Sequence, residues 1–131
     1  MRSTAALVMG RDENKHVMNL LLNAGLVPLV QRNIPQALDK LRHEHFAMIV
    51  VDRSHTDVDV LEFILNVRDI DGEIPIVVIG QSDDTLDDQI LRAQPRTFVS
   101  GQYDSPEHFA REIGQILTIA RRQDGECNAT M

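Results

Sequence analysis

The sequence predicts an α/β protein in which five parallel strands form one sheet with helices on both faces. Two patterns carry this prediction: short apolar runs alternate five times with amphipathic segments, and the runs at residues 48–51 and 74–79 are apolar throughout. Continuous apolar runs are typical of strands buried on both faces, as in parallel sheets. The alternation predicts right-handed crossovers between the strands.

The predicted strands are residues 5–9, 27–31, 46–51, 74–79 and 96–100. Pro28 lies in the second strand and lacks the backbone donor that a sheet ladder needs, so this strand is expected at an edge of the sheet. The order 2-1-3-4-5 of the flavodoxin-like (βα)5 three-layer sandwich meets this requirement.

Capping residues mark the predicted helix ends. Short polar side chains cap the free amides of a first turn, proline fits that turn, and glycine closes a helix. The helices are expected to start near Asp12, at Asn33 with Pro35, at Asp57 or Asp59, at Ser82, and at Ser105 with Pro106, and the first is expected to close at Gly25. The fourth helix is expected over residues 83–93 and the turn before the fourth strand at Asp71-Gly72.

Helical spacing predicts which side chains face the sheet. They are Val17, Leu20, Leu21 and Ala24 in the first helix; Ala37, Leu38 and Leu41 in the second; Val60 or Leu61, Ile64, Leu65 and Val67 in the third; Leu86, Ile90 and Leu91 in the fourth; and Phe109, Ile113, Ile116, Leu117 and Ala120 in the fifth. One domain is expected over residues 1–122, followed by a disordered polar tail at 123–131.

Charge and composition exclude several classes of function. The net charge of −7 argues against nucleic acid or an anionic membrane surface as a direct partner, since both need a basic patch. No apolar run approaches the roughly 18 residues of a membrane span. Cys127 is the only cysteine, so no intramolecular disulfide can form. These features favour a cytoplasmic protein.

Asp52 is the first candidate functional residue. It directly follows the apolar run 48–51. In open α/β sheets, ligand and reaction sites lie just beyond the carboxyl ends of the strands. Judged from the residue alone, an aspartate that caps nearby backbone amides is the preferred explanation.

Over residues 4–122 the chain resembles the CheY-like receiver domains of bacterial response regulators. The clearest match is Met-Ile-Val-Val-Asp at 48–52, followed seven residues later by Asp-Val-Leu-Glu-Phe at 59–63. Asn-Ala-Gly at 23–25, Ala-Leu at 37–38, Ile-Pro-Ile-Val at 74–77 and Phe-Val-Ser at 98–100 match as well. The resemblance implies a two-component signalling protein that is not an enzyme, with Asp52 at the phosphoacceptor position.

The resemblance also implies further groups around the acceptor, and most of them are changed here. The family places an acidic pair for Mg²⁺ after the first strand, a Ser or Thr after the fourth and a Lys after the fifth. The corresponding positions are Gly10, Gly80 and Gly101, while Phe98 takes the place of the switch aromatic. Asp12 and Glu13 follow the position of the acidic pair and, with Asp52, are the candidate metal ligands. No cofactor is otherwise expected.

A degenerate receiver, or pseudo-receiver, is therefore the leading hypothesis. It would act by protein–protein contact with a histidine kinase or a downstream effector, and it could form a homodimer through the fourth helix, fifth strand and fifth helix. Two alternatives stay open. One is a working Mg²⁺-dependent phosphoacceptor that uses Asp12 or Glu13 for the metal. The other is a flavodoxin-like domain that binds a small ligand.

Some charged residues receive simpler interpretations. Arg53 follows a strand-end aspartate and is expected to point away from the site. The acidic residues Asp83, Asp84, Asp87 and Asp88 are expected on the first turn and exposed face of the fourth helix. His43 and His45 lie two residues apart near a helix end, a spacing that does not place them on one helix face.

Overall fold

The computed structural model describes residues 4–10, 15–53, 58–80, 85–100 and 106–129. Strands and helices alternate along this part of the chain. The strands are β1 (Ala5–Met9), β2 (Val27–Gln31), β3 (Met48–Asp52), β4 (Ile76–Ile79) and β5 (Thr97–Ser100). The helices are α1 (Lys15–Asn23), α2 (Ile34–His43), α3 (Val60–Ile70), α4 (Thr85–Arg92) and α5 (Pro106–Ala129). In these ranges no helix is long and apolar enough to cross a membrane.

The sheet confirms the predicted topology. Its order is β2-β1-β3-β4-β5, with every neighbouring pair parallel. β2, which contains Pro28, lies at one edge as expected. All five residues of the central strand β3 are buried. The register pairs Asp52 with Ile79, so β3 and β4 end side by side.

The two faces of the sheet are covered by different helices, which gives the three layers. Alternate strand residues point to opposite faces. On one face Leu7, Met9, Ile49, Val51, Ile76 and Val78 join side chains of α2 and α3 together with Leu91 of α4. On the other face Ala6, Val8, Met48, Val50, Val77 and Ile79 join side chains of α1 and α5.

Several predicted caps are present. The side chain of Asn33 accepts a hydrogen bond from the Gln36 amide at 2.9 Å, and Asp59 accepts one from the Glu62 amide at 3.1 Å. The structure thus identifies Asp59 as the cap of α3, and the other candidate, Asp57, lies outside the described residues. Gly25 has a φ of +86°, a conformation that glycine adopts without strain, and it follows the end of α1 as predicted.

Three predicted core residues are wrong. Leu65, Leu86 and Ile90 are exposed. Each helical residue turns the side chain by about 100°. The buried stripe of α3 runs through Phe63, Ile64 and Val67, so Leu65 falls beside it. In α4 the only fully buried apolar side chain is Leu91, and neither Leu86 nor Ile90 shares its face.

Element boundaries differ from the predictions at several ends. β3, β4 and β5 are shorter than expected, and β3 includes Asp52 as its last residue. α1 begins at Lys15 and α4 at Thr85, so the predicted starts at Asp12 and Ser82 lie outside the described residues. α5 extends to Ala129, past the helix end expected near Arg122.

Arg68 joins the loops at the amino ends of β4 and β5. Its guanidinium donates hydrogen bonds to the backbone carbonyls of Asp71 at 3.2 Å, Ile74 at 2.7 Å, Pro95 at 2.7 Å and Arg96 at 3.2 Å. The predicted turn at Asp71-Gly72 lies in one of these loops. There the Asp71 carboxylate accepts hydrogen bonds from the amides of Glu73 at 2.8 Å and Ile74 at 3.1 Å.

Candidate functional site

The candidate site lies at the carboxyl edge of the sheet. Because the strands are parallel and in register, the residues that end them meet at this edge. Asp52 ends β3, Gly80 follows β4, Ser100 ends β5 and Gly10 follows β1. The sequence prediction that Asp52 lies at this edge is confirmed, while its role as a phosphoacceptor stays a prediction.

Asp52 is buried to an unusual degree for an aspartate. Its exposed fraction is 1%, whereas aspartates are mostly found at protein surfaces. Burial of a carboxylate away from water is unfavourable unless nearby polar or charged groups offset it. An aspartate whose only task was to cap a strand end would not need this degree of burial. The position therefore stands out as a site candidate on physical grounds.

Arg53 reaches over the end of β4 to α4, and its expected orientation away from Asp52 stays a prediction. Its Nε donates to the carbonyl oxygen of Gly80 at 2.9 Å, and its Nη1 donates to Oδ1 of Asp88 at 2.6 Å. The side chain is only 8% exposed.

The guanidinium of Arg53 therefore covers part of the acidic face of α4. This corrects the expectation that the face is exposed to solvent throughout. Asp88 is 28% exposed and forms an ion pair with Arg53. Asp87 is more exposed, and its Oδ2 lies 3.9 Å from Nη1 of Arg53. Asp83 and Asp84 lie outside the described residues. The contact between Arg53 and Asp88 joins residues 35 positions apart, so no local sequence signal predicts it.

Within the described ranges, Asp52 is the one strand-end residue that could serve a Mg²⁺ site of the receiver type. Magnesium binds through carboxylates, water and phosphate oxygens, and Asp52 is the only carboxylate among the residues that end the strands here. In the ranges that the structure describes, no three His, Cys, Asp or Glu side chains are placed to hold a metal ion. The guanidinium of Arg53 also places positive charge at this edge, which disfavours a second cation. Asp12 and Glu13 lie outside the described residues.

The backbone at Gly80 disfavours the hydroxyl residue that receivers place at this position. Gly80 has a φ of +99°. This conformation suits glycine and is strained for a β-branched residue such as threonine. A serine or threonine introduced at position 80 would have to adopt this strained conformation. Gly101, at the position of the lysine, lies outside the described residues.

The end of β5 carries a further polar contact that the sequence did not predict. Ser100 is buried, and its hydroxyl donates a hydrogen bond to Oε2 of Glu112 on α5 at 3.3 Å. Glu112 also lies 3.8 Å from Nε2 of His108. Phe98, at the position of the switch aromatic, is partly buried and packs against the core beneath α1 and α5. It serves there as a packing residue.

The histidines near the end of α2 do not form a second site. His43 is the last residue of α2, and its ring nitrogen Nδ1 lies 2.8 Å from the carbonyl oxygen of Asp39. Both His43 and His45 are exposed. This supports the interpretation of the segment as a polar helix end.

Comparison with solved structures finds similar folds in receiver domains. A CheY-like response regulator receiver domain protein from Methanospirillum hungatei JF-1 has a TM-score of 0.75 at 12% identity, covering 93% of this chain and 99% of that chain. Chemotaxis response regulator CheY4 of Vibrio cholerae has a TM-score of 0.71 at 18% identity, covering 88% and 99%. The receiver domain of sensor histidine kinase PA1611 from Pseudomonas aeruginosa PAO1, with a magnesium ion coordinated in its active site cleft, has a TM-score of 0.72 at 14% identity, covering 89% and 99%.

Comparisons by sequence give no match. No protein-family profile matches the chain, and no curated protein matches it. The similarity to receivers is therefore carried by the architecture: five parallel strands in the order 2-1-3-4-5, enclosed by helices, with an aspartate at the end of the third strand. The chain has the flavodoxin-like fold of the CheY-like response regulator receiver domains.

Proposed function

We propose that this chain is an atypical receiver module of two-component signalling, which acts through contacts with other signalling proteins and is not an enzyme. The observation that carries the proposal is Asp52, a buried carboxylate at the carboxyl end of the central strand of a receiver fold. In the receiver family this position accepts the phosphoryl group. Asp52 thus keeps the acceptor position in a site whose surroundings are changed.

The surroundings of Asp52 support the atypical form of the proposal. Gly80 offers no hydroxyl and has a left-handed backbone. Gly10 offers no carboxylate, and its amide donates to the Gln31 carbonyl at 3.1 Å. A phosphoryl group on a carboxylate needs a cation and fixed donors to neutralise its charge. The described part of the site supplies these poorly, so ordinary Mg²⁺-dependent phosphorylation is not the expected mode of action.

The exposed apolar side chains of α4 and α5 support an interaction surface beside β5. Leu86 and Ile90 on α4 and Ile119 on α5 are exposed. Both helices lie next to β5, which forms the edge of the sheet opposite β2. A histidine kinase, a downstream effector or a second copy of the chain would bury these side chains. The proposed setting is the cytoplasm, where two-component partners of this kind meet.

An amide NMR titration tests the atypical site. The wild-type protein and Asp52→Asn are titrated with Mg²⁺ and then with Mg²⁺ plus beryllofluoride, a mimic of the phosphoryl group. The proposal predicts no saturating shift of the Gly10, Asp52, Gly80 or Ser100 amides at millimolar Mg²⁺. Saturating shifts that vanish in Asp52→Asn would contradict it and would favour an ordinary phosphoacceptor with Asp12 or Glu13 as a metal ligand.

Sedimentation velocity tests whether the partner is a second copy. If the α4 surface forms a homodimer, Leu86→Ser together with Ile90→Ser weakens self-association. The matched control is Leu22→Ser, which changes an equally exposed leucine on α1. A wild-type protein that stays monomeric at all concentrations excludes the homodimer and leaves a kinase or effector as the partner. Native mass spectrometry of the same sample would reveal a bound flavin or nucleotide, which would instead favour a ligand-binding domain.

A further inference from the structure

We propose that the outer face of α3 is a second docking surface, which binds a short basic helix of a partner protein with an apolar side chain at its centre. This surface is distinct from the one proposed on α4 and α5, so the two proposals can fail separately. Three features of α3 point to such a partner: a groove lined by leucines, the exposure of one of these leucines, and carboxylates without a cationic partner among the described residues.

The groove has a volume of about 410 Å³ and is lined by Asp59, Leu61, Glu62, Leu65 and Asn66. Leu61 and Leu65 are four residues apart, so they are neighbours on one face of the helix. Leu61 packs partly against the core, whereas Leu65 is 52% exposed. A leucine that is half in water at the wall of a groove is stabilised when another apolar side chain covers it.

The charged side chains at this groove are acidic. Asp59, Glu62 and Asp69 are exposed, and the last two lie three and four residues from Leu65, so they flank it. The one arginine of α3, Arg68, donates instead to four loop carbonyls at the amino edge of the sheet. In the described ranges no lysine or arginine forms an ion pair with any of the three carboxylates. They are therefore available to a cationic partner.

The carboxylates of α4 are less suited to a basic partner. Asp88 already pairs with Arg53 at 2.6 Å, and Asp87 lies 3.9 Å from the same guanidinium. A basic segment that bound α4 would compete with this cation, whereas on α3 it would meet exposed carboxylates with no cation to displace among the described residues. Charge complementarity therefore favours α3 as the surface for a basic partner.

The length of α3 sets the size of the partner segment. Its 11 residues span about 16 Å at the rise of an α-helix. A helix of similar length along the groove would place an apolar side chain against Leu61 and Leu65, with lysines or arginines beside Glu62 and Asp69. Nucleic acid would be repelled by these carboxylates, so a protein segment is the partner that fits.

An amide NMR titration with a synthetic peptide tests the proposal. The probe is a short amphipathic helix of leucine and lysine, and the control peptide carries glutamate in place of lysine. The lysine peptide should give saturable shifts of the Glu62, Leu65 and Asp69 amides, and the glutamate peptide none. Binding should weaken as the salt concentration rises, because the contact is partly ionic. No saturable shift at millimolar lysine peptide, or shifts that occur only outside α3, would overturn the proposal.

Matched variants separate α3 from α4 as the binding surface. Leu65→Ser should raise the Kd for the lysine peptide about tenfold, since it removes the apolar contact, and it spares the core because Leu65 is half exposed. Glu62→Gln together with Asp69→Asn should raise the Kd about threefold and reduce its salt dependence. Leu86→Ser together with Ile90→Ser changes only α4 and should leave the Kd unchanged. A Kd that responds to the α4 variant but not to Leu65→Ser would overturn the proposal.

Discussion

Two arginines hold opposite edges of the same sheet, but they bond to different kinds of acceptor. Arg68, near the amino ends of β4 and β5, donates only to backbone carbonyls. Arg53, at the carboxyl edge, donates to one backbone carbonyl and to the carboxylate of Asp88. A backbone carbonyl cannot exchange partners without a change in the fold, whereas a carboxylate on a helix surface can. The same residue type thus forms a permanent clamp at one edge and a bridge that can be exchanged at the other.

The electrostatic surroundings of Arg68 agree with a permanent role. Burial lowers the pKa of the Arg68 guanidinium below its ordinary value and the nearby Arg96 lowers it further, while Asp71 and Glu73 oppose this shift. The guanidinium nonetheless remains charged at neutral pH. Its hydrogen-bond acceptors are four backbone carbonyl oxygens, so its position is fixed by the two loops that carry them.

The largest predicted effect is that of Arg68→Met. The change leaves four backbone carbonyls without their donor, and we expect it to lower the free energy of unfolding by about 3 kcal/mol. Urea unfolding followed by circular dichroism measures this. Arg68→Lys keeps the positive charge, but lysine lacks the planar guanidinium that reaches both loops. We expect it to lower the free energy of unfolding by less than Arg68→Met does. A loss below about 1 kcal/mol for Arg68→Met would contradict the clamp.

Arg53→Gln should destabilise the fold less than Arg68→Met. It removes one bond to a carbonyl and one to a carboxylate that can return to water, so we expect a loss of about 1.5 kcal/mol by the same urea measurement. High salt should reduce the difference in free energy of unfolding between the wild type and Arg53→Gln, since the contact between Arg53 and Asp88 is partly ionic. Equal losses for the two arginine variants would remove the distinction between clamp and bridge.

The sequence was sufficient for the fold because its signals are local and agree with one another. Continuous apolar runs predicted buried parallel strands, Pro28 predicted the edge position of β2, and Asn33 and Gly25 predicted helix ends. The position of Asp52 at the carboxyl edge followed from the run that precedes it. Each of these inferences needs only neighbouring residues and a known chain geometry.

The features that the sequence did not predict depend on distant contacts. Leu86 and Ile90 lie in an apolar pattern that fits a buried face, but only Leu91 of α4 is fully buried. The bridge from Arg53 to Asp88 spans 35 residues, and many acidic residues were equally plausible partners. Helix orientation and long-range ion pairs are set by tertiary packing, which the spacing of apolar residues does not determine.

Asp71→Ala tests whether the loop before β4 holds the Ile74 carbonyl in position for Arg68. The Asp71 carboxylate accepts two amide hydrogen bonds at 2.8 and 3.1 Å that fold the loop toward Ile74, whose carbonyl accepts from Arg68. We expect a loss of about 1 kcal/mol on urea unfolding. In the Arg68→Met background the same change should cost less, because the loop no longer has to present that carbonyl. Full additivity would mean that the loop and the clamp are independent.

The smallest predicted effect is that of Glu73→Gln, and it sharpens the comparison most. Arg96 and Glu73 form an ion pair of 2.5 Å at the amino edge, nearly the same length as the 2.6 Å pair of Arg53 and Asp88. The carboxylate of Glu73 is 78% exposed, however, against 28% for Asp88. Exposed ion pairs gain little over hydrated charges, so we expect Glu73→Gln to change the free energy of unfolding by less than about 0.5 kcal/mol. Asp88→Asn, measured in parallel, should lower the free energy of unfolding by clearly more than Glu73→Gln does. If the two changes had equal effects, burial would not distinguish the energies of the two ion pairs.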